Sequence, residues 1–285
     1  RLDVPYGDTA LPATLYRPGD SDAAERGTDS AGADDPRPTV VLVGGFDATA
    51  EELYFLCGVP EALERGYACV AFDGPGQGAP LRKEELTARH DWERVVGPVL
   101  DAAVDRPAVD AERIALVGAS MGGYYAPRAA AFDDRVAAVV AFDQCFDLWD
   151  ASAGGSELAA ALFDRLPGAA VNATAELAAR CSPGARWQKQ NAEWVFGTDM
   201  AGLRDEMKRY SLRDVADRIA CPTLVLAGED DHLIPLAQAY EFADGVAGDA
   251  TLRVFTEEEG AAEHCQLGNL SLAHGVVYDW LDDAL

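Results

Sequence analysis

RIALVGASMGGYYAPRAAAF, residues 113–132, carries the fold in twenty positions. The apolar, β-branched start RIALV (113–117) reads as a buried strand, and YYAPRAAAF (124–132) reads as a helix. Between them stands Gly118-Ala119-Ser120-Met121-Gly122-Gly123. A G-x-S-x-G at a strand-to-helix junction lets the backbone turn so sharply that the serine oxygen stands exposed above the sheet. Ser120 is therefore the candidate nucleophile, and Pro127 should shorten or kink the helix that follows.

Similar apolar runs recur on either side: TVVLV (39–43), YACVAF (67–72), RVAAVVAF (135–142), PTLVLA (222–227) and TLRVF (251–255), separated by helical stretches. Continuous apolar strands alternating with helices mark a doubly wound α/β core with a mostly parallel sheet. LPATLYR (11–17) alternates apolar and polar and reads as an edge strand. Pro18 to Pro38 is rich in Asp, Ala, Gly and Ser and reads as a mobile loop. The spacing breaks between Phe146 and Arg213, where the patterning is helical and aromatic residues such as Trp149, Trp187, Trp194, Phe196 and Tyr210 are scattered. This divides the chain into a core of residues 1–145 and 214–285 and a helical cap insertion at 146–213, lying over a ligand pocket.

A serine hydroxyl needs a base within hydrogen-bond reach and a carboxylate to fix the tautomer of that base. Of the four histidines, His90 precedes the serine, His274 sits in a core-packing helical pattern (267–284), and His232 directly follows an acid candidate. His264, in the loop EEEGAAEHCQ (257–266) after the last strand, is the candidate base. After PTLVLA, Asp230 and Asp231 are adjacent candidates for the acid. The oxyanion that forms on attack needs donors. The backbone N–H of Met121 is one candidate, and that of Phe46, beside Gly44-Gly45 after TVVLV, is the other. Asp47, Tyr124, Asp143, Trp194 and Phe196 are candidate substrate contacts, and Asp147 also lies near a strand end. Gly74-Pro75-Gly76-Gln77-Gly78 lacks the spacing of a phosphate or dinucleotide loop and reads as a turn.

Taken together, VLVGGFDATAEELY (41–54), FDGPGQG (72–78), GASMGGYYAPRAA (118–130), LVLAGEDDHLIP (224–235) and AEHCQ (262–266) resemble α/β-hydrolases related to fungal enzymes that shorten polyketides and to bacterial hydrolases that cut a carbon–carbon bond in pyridine alkaloids. The resemblance implies an α/β-hydrolase fold with a helical cap. Its G-x-x-D-x-x-x-P form selects Asp231 as the acid. It also implies a Ser-His-Asp hydrolase acting on an ester or a carbon–carbon bond next to a carbonyl in a medium-sized, largely apolar molecule. A lyase eliminating acetate and a non-catalytic binder are the competing readings. Members of the group usually carry an additional helical region ahead of the core, a pattern not seen in residues 1–285.

Composition narrows the partners. Against 49 acidic side chains stand 23 basic ones, giving a formal charge of −26, and such a surface repels nucleic acid and anionic lipid. No apolar run reaches the length of a membrane span and no signal-peptide pattern opens the chain, so a cytoplasmic location is expected. The six cysteines show neither a disulfide framework nor zinc spacing; only Cys265, beside His264, invites a functional reading. No cofactor and no metal is expected. The resemblance implies a small carbonyl compound as the partner, with a homodimer left open.

Overall fold

The computed structural model describes residues 1–19, 35–154 and 156–285. One eight-stranded sheet organises them: β1 Leu2–Tyr6, β2 Thr9–Tyr16, β3 Arg37–Val43, β4 Ala68–Phe72, β5 Val109–Ala119, β6 Val136–Phe142, β7 Thr223–Gly228 and β8 Ala250–Phe255, in the order β1-β2-β4-β3-β5-β6-β7-β8. From β4 through β8 neighbouring strands are parallel, while β2 pairs antiparallel with both β1 and β4. Every strand run read from the sequence lies in this sheet.

Successive side chains on a strand point to opposite faces, and both faces here are covered. Val41, Val43, Leu116, Val139 and Val225 pack on one side with the helices Glu93–Val104 and Gly122–Ala130. Val40, Leu42, Val117, Val140 and Leu224 pack on the other with Ala50–Leu56, Val59–Glu64 and Leu270–Ala284. That double burial is why the central strands are apolar without interruption. The helix after Ser120 is short, Gly122–Ala130, with Pro127 inside it.

The sheet corrects one expectation. The strand read at 11–17 is not an edge: β1 covers it, pairing Leu2 with Ala13 and Val4 with Leu11. Leu2 and Val4 are buried and Asp3 and Pro5 exposed. Pro5 argues against a strand interior, but on an outermost strand its missing N–H costs no ladder bond. The loop expected at 18–38 falls largely on residues 20–34, outside the described residues, and β3 already begins at Arg37.

Between β6 and β7 the chain runs through the helices Leu148–Ser152, Glu157–Asp164, Gly168–Cys181, Pro183–Phe196 and Met200–Met207. Val195, Phe196, Leu203 and Tyr210 from this stretch join the core on the side of Tyr124 and Tyr125. Among the described residues no helix is long and apolar enough to cross a membrane.

Candidate active site

Ser120 directly follows β5 at a φ of +59°, a left-handed conformation that side chains rarely take. Small neighbours make the turn possible. A Cβ on Gly118 would stand 1.9 Å from the carbonyl oxygen of Gly122, and one on Gly122 would stand 2.2 Å from that of Val43. The turn is tied back to the sheet by the Ser120 N–H, which donates to the Phe142 carbonyl at 2.9 Å.

Two loops from the same edge of the sheet meet this serine. His264 opens a short 3-10 turn after β8, and its Nε2 lies 2.8 Å from Ser120 Oγ. Its Nδ1 lies 2.7 Å from Asp231 Oδ2, in the loop after β7. The other oxygen of Asp231 accepts the N–H groups of Leu233 at 2.7 Å and Ile234 at 3.1 Å, so the carboxylate is fixed before it meets the imidazole. Asp230 is exposed. His232 is exposed with its Nδ1 3.5 Å from Glu263, His274 is bonded to the Leu56 carbonyl at 2.9 Å, and His90 lies against Tyr210.

A second carboxylate reaches the same imidazole. Asp143, directly after β6 and almost fully buried, brings its Oδ2 to 3.2 Å from His264 Nδ1. Burial opposes charge on His264, but the hydrogen bonds that Asp143 and Asp231 accept from it outweigh burial and raise the proton affinity of the imidazole. Burial likewise works against the Asp231 carboxylate, yet its bond to His264 holds it below the usual carboxylate value. Asp143, His264 and Cys265 bring their potential metal-ligand atoms within 4.8 Å of one another. However, Nδ1 is already engaged by two carboxylates, and burial keeps Cys265 a thiol.

The loop that carries Phe46 lies beside the serine turn. A Cβ on Gly45 would lie 2.9 Å from Ser120 Cβ and 3.2 Å from the Met121 nitrogen, so the Gly44-Gly45-Phe46 loop packs directly on the elbow. What holds that loop was not read from the sequence. Gln77, buried in the GPGQG turn, donates from Nε2 to the carbonyls of Gly44 at 2.8 Å and Gly45 at 2.9 Å, and accepts the Gly74 N–H at 2.9 Å. Asp73 accepts from the Ala50 N–H at 2.7 Å and the Ala79 N–H at 3.2 Å. A polar side chain enclosed by glycines was the available signal, since a buried amide must find partners.

Ser120 and His264 face two adjoining cavities. One, of about 810 Å³, is lined among others by Phe46, Asp47, Trp187, Lys189 and Leu267. The other, of about 290 Å³, is lined by Met121, Cys145, Leu148, Phe196, Leu203 and Ile234. Of the candidate substrate contacts, Asp47 and Phe196 reach these cavities. Asp47 accepts from Asn191 at 3.2 Å, and burial pushes its carboxyl up; Phe196 stacks on Phe46 at 5.8 Å. The other three lie elsewhere. Tyr124 is fully buried with its hydroxyl donating to the His90 carbonyl at 2.9 Å. Asp143 sits behind His264, and Trp194 faces outward under the Arg82 guanidinium. Asp147 caps the helix Leu148–Ser152 through the Asp150 N–H.

Residues 40–277 match the family model described as "Alpha/beta hydrolase family". The chain belongs to that family. Among the curated relatives of this α/β-hydrolase is the "Hydrolase acrC" of Aspergillus aculeatus, 36% identical over 301 residues, which span 99% of this chain and 69% of the relative. The "20-hydroxy-prefusarin hydrolase FUS2" of Gibberella moniliformis is 33% identical over 99% of this chain and 68% of its own length. Among solved structures, the 2,6-dihydroxy-pseudo-oxynicotine hydrolase superimposes with a TM-score of 0.70 at 26% identity, covering 99% of this chain and 67% of that one. The sequence-based expectation of the family and fold therefore holds.

Proposed function

We propose that this α/β-hydrolase is serine-dependent and cleaves an ester, or a carbon–carbon bond next to a carbonyl, in a medium-sized, largely apolar, polyketide-like molecule. The observation that carries the reading is the unbroken line Asp231–His264–Ser120, with contacts of 2.7 and 2.8 Å, ending at the junction of two cavities. In this reading His264 Nε2 takes the Ser120 proton as Oγ attacks the carbonyl carbon. The N–H groups of Phe46 and Met121 hold the oxyanion. As the intermediate collapses, His264 returns the proton to the departing alkoxide or to the carbon of the departing enolate. Water activated by His264 then releases the acid from Ser120. A relative named as a 20-hydroxy-prefusarin hydrolase and a solved structure named as a 2,6-dihydroxy-pseudo-oxynicotine hydrolase support the substrate class, and the free cysteines accord with a cytoplasmic location.

Turnover of a panel of aryl esters, β-diketones and β-acetoxy ketones in ¹⁸O-water tests the reaction. One solvent oxygen in the acid product is expected. Acetate released without solvent oxygen would instead assign the chemistry to elimination.

Gln77 gives a second prediction. A trans peptide points its N–H opposite its C=O, so the bond from Gln77 to the Gly45 carbonyl aims the Phe46 N–H away from Gln77. Gln77→Ala is expected to lower kcat about 10- to 100-fold with little change in KM, because a donor made loose is felt mainly in the transition state. Steady-state kinetics checks the split.

A further inference from the structure

We propose that Asp143 is a second acid of the site: it shares the Nδ1 proton of His264 with Asp231 and keeps the imidazole oriented when Asp231 is removed. The inference rests on the serine-hydrolase reading above and adds a positioning residue to it.

Asp143 is fixed independently of Asp231. Its Oδ2 accepts the Cys265 N–H and its Oδ1 accepts from Gln266 Nε2 at 3.2 Å. Its own backbone lies against the serine turn: a Cβ on Gly123 would stand 2.1 Å from the Asp143 carbonyl oxygen, and the preceding Phe142 carbonyl holds the Ser120 N–H. One residue thus joins the serine turn to the histidine turn.

The backbone around it is unusual. Of the described non-glycine residues with positive φ, Ser120, Asp143, Cys265 and Gln266 lie here and only Glu85 lies elsewhere. Such conformations cost about 1–3 kcal/mol each and persist where the surroundings enforce them. A residue serving only to hold the loop would satisfy Cys265 and Gln266; Asp143 in addition turns Oδ2 toward Nδ1, at 3.2 Å against 2.7 Å for Asp231. Burial pushes the Asp143 carboxyl up, with His264 and the Cys265 N–H opposing.

The groups facing His264 come from every neighbouring element: Ser120 after β5, Asp143 and the Cys145 thiol after β6, Asp231 and His232 after β7, and Cys265 on its own turn, while Glu263 next to it in sequence turns to His232. The two carboxylates are the ones on Nδ1. Removing one lowers the proton affinity of the imidazole, so the acid limb of kcat/KM moves to lower pH.

The test compares wild type, Asp143→Asn, Asp231→Asn, the double variant and Ser120→Ala, by kcat/KM on an aryl ester across pH. Asn at 143 keeps an acceptor for the Cys265 N–H. Loss of a lone triad acid has cost about 10⁴-fold in another serine hydrolase. With Asp143 in place, Asp231→Asn is expected to lose about 10²-fold, the double variant at least about 10-fold more, and Asp143→Asn to shift the acid limb downward. Equal activities of Asp231→Asn and the double variant would overturn the proposal. Should Asp143→Asn fail to fold, the low-field proton resonance of His264 Nδ1–H decides in Asp231→Asn alone: its persistence supports Asp143 as acceptor and its loss refutes it. An active Ser120→Ala would instead sink the serine-hydrolase reading itself.

Discussion

Ser120→Ala lowers turnover by about 10⁴- to 10⁶-fold, His264→Ala does the same, and the double variant is no worse than either. The expectation follows from a single line of contacts. His264 Nε2 has its partner in Ser120 Oγ at 2.8 Å, and without the base the hydroxyl keeps its proton and attacks poorly. Ser152 also borders both cavities, but its hydroxyl donates to the Trp149 carbonyl at 2.7 Å. The alanine variant keeps the left-handed turn at about the same backbone cost as serine, so its melting temperature should match that of wild type. Single-turnover kinetics on an activated ester measures the loss directly. Strict additivity of the two losses would mean that the residues act separately.

The second large effect is on stability. Gly118→Ala is expected to cost about 2–4 kcal/mol, because the new methyl meets backbone atoms, 1.9 Å from the Gly122 oxygen and 2.5 Å from its carbon, that cannot swing aside as a side chain does. In a chain of this size the melting temperature should fall by about 4–16 °C. Gly275 supplies the control: it lies inside the helix Leu270–Ala284, and apart from its chain neighbours and its own helix backbone nothing lies within 4 Å of a Cβ. Gly275→Ala should be neutral or stabilise by up to about 1 kcal/mol. Calorimetry of the two variants decides; a tolerated Gly118→Ala would mean that the elbow is looser than its geometry implies.

Strands buried on both faces announced themselves, since a run such as TVVLV has no other reading once helices cover both sides of it. The contacts among Ser120, His264 and Asp231 were also foreseen: residue type and chain order pointed to the serine and the histidine, and the resemblance to α/β-hydrolases chose Asp231 over Asp230. What escaped was set by packing. β1 hid behind Pro5, whose cost vanishes on an edge. Gln77 was missed, and Asp143 was read as a substrate contact instead of a neighbour of His264, because their partners Gly45 and Cys265 lie 32 or more positions away in sequence, which no local pattern announces. The aromatic residues between β6 and β7 share one composition, yet Phe196 reaches the cavity and Trp194 points outward. Periodicity alone does not tell such neighbours apart.

The claim on which the account stands is that Ser120 is an activated nucleophile. Exposing the protein to a fluorophosphonate probe and locating the adduct by peptide mass spectrometry tests it most directly. The account predicts stoichiometric labelling at Ser120, lost in Ser120→Ala and nearly lost in His264→Ala. Labelling at another residue, or undiminished labelling of His264→Ala, would contradict it.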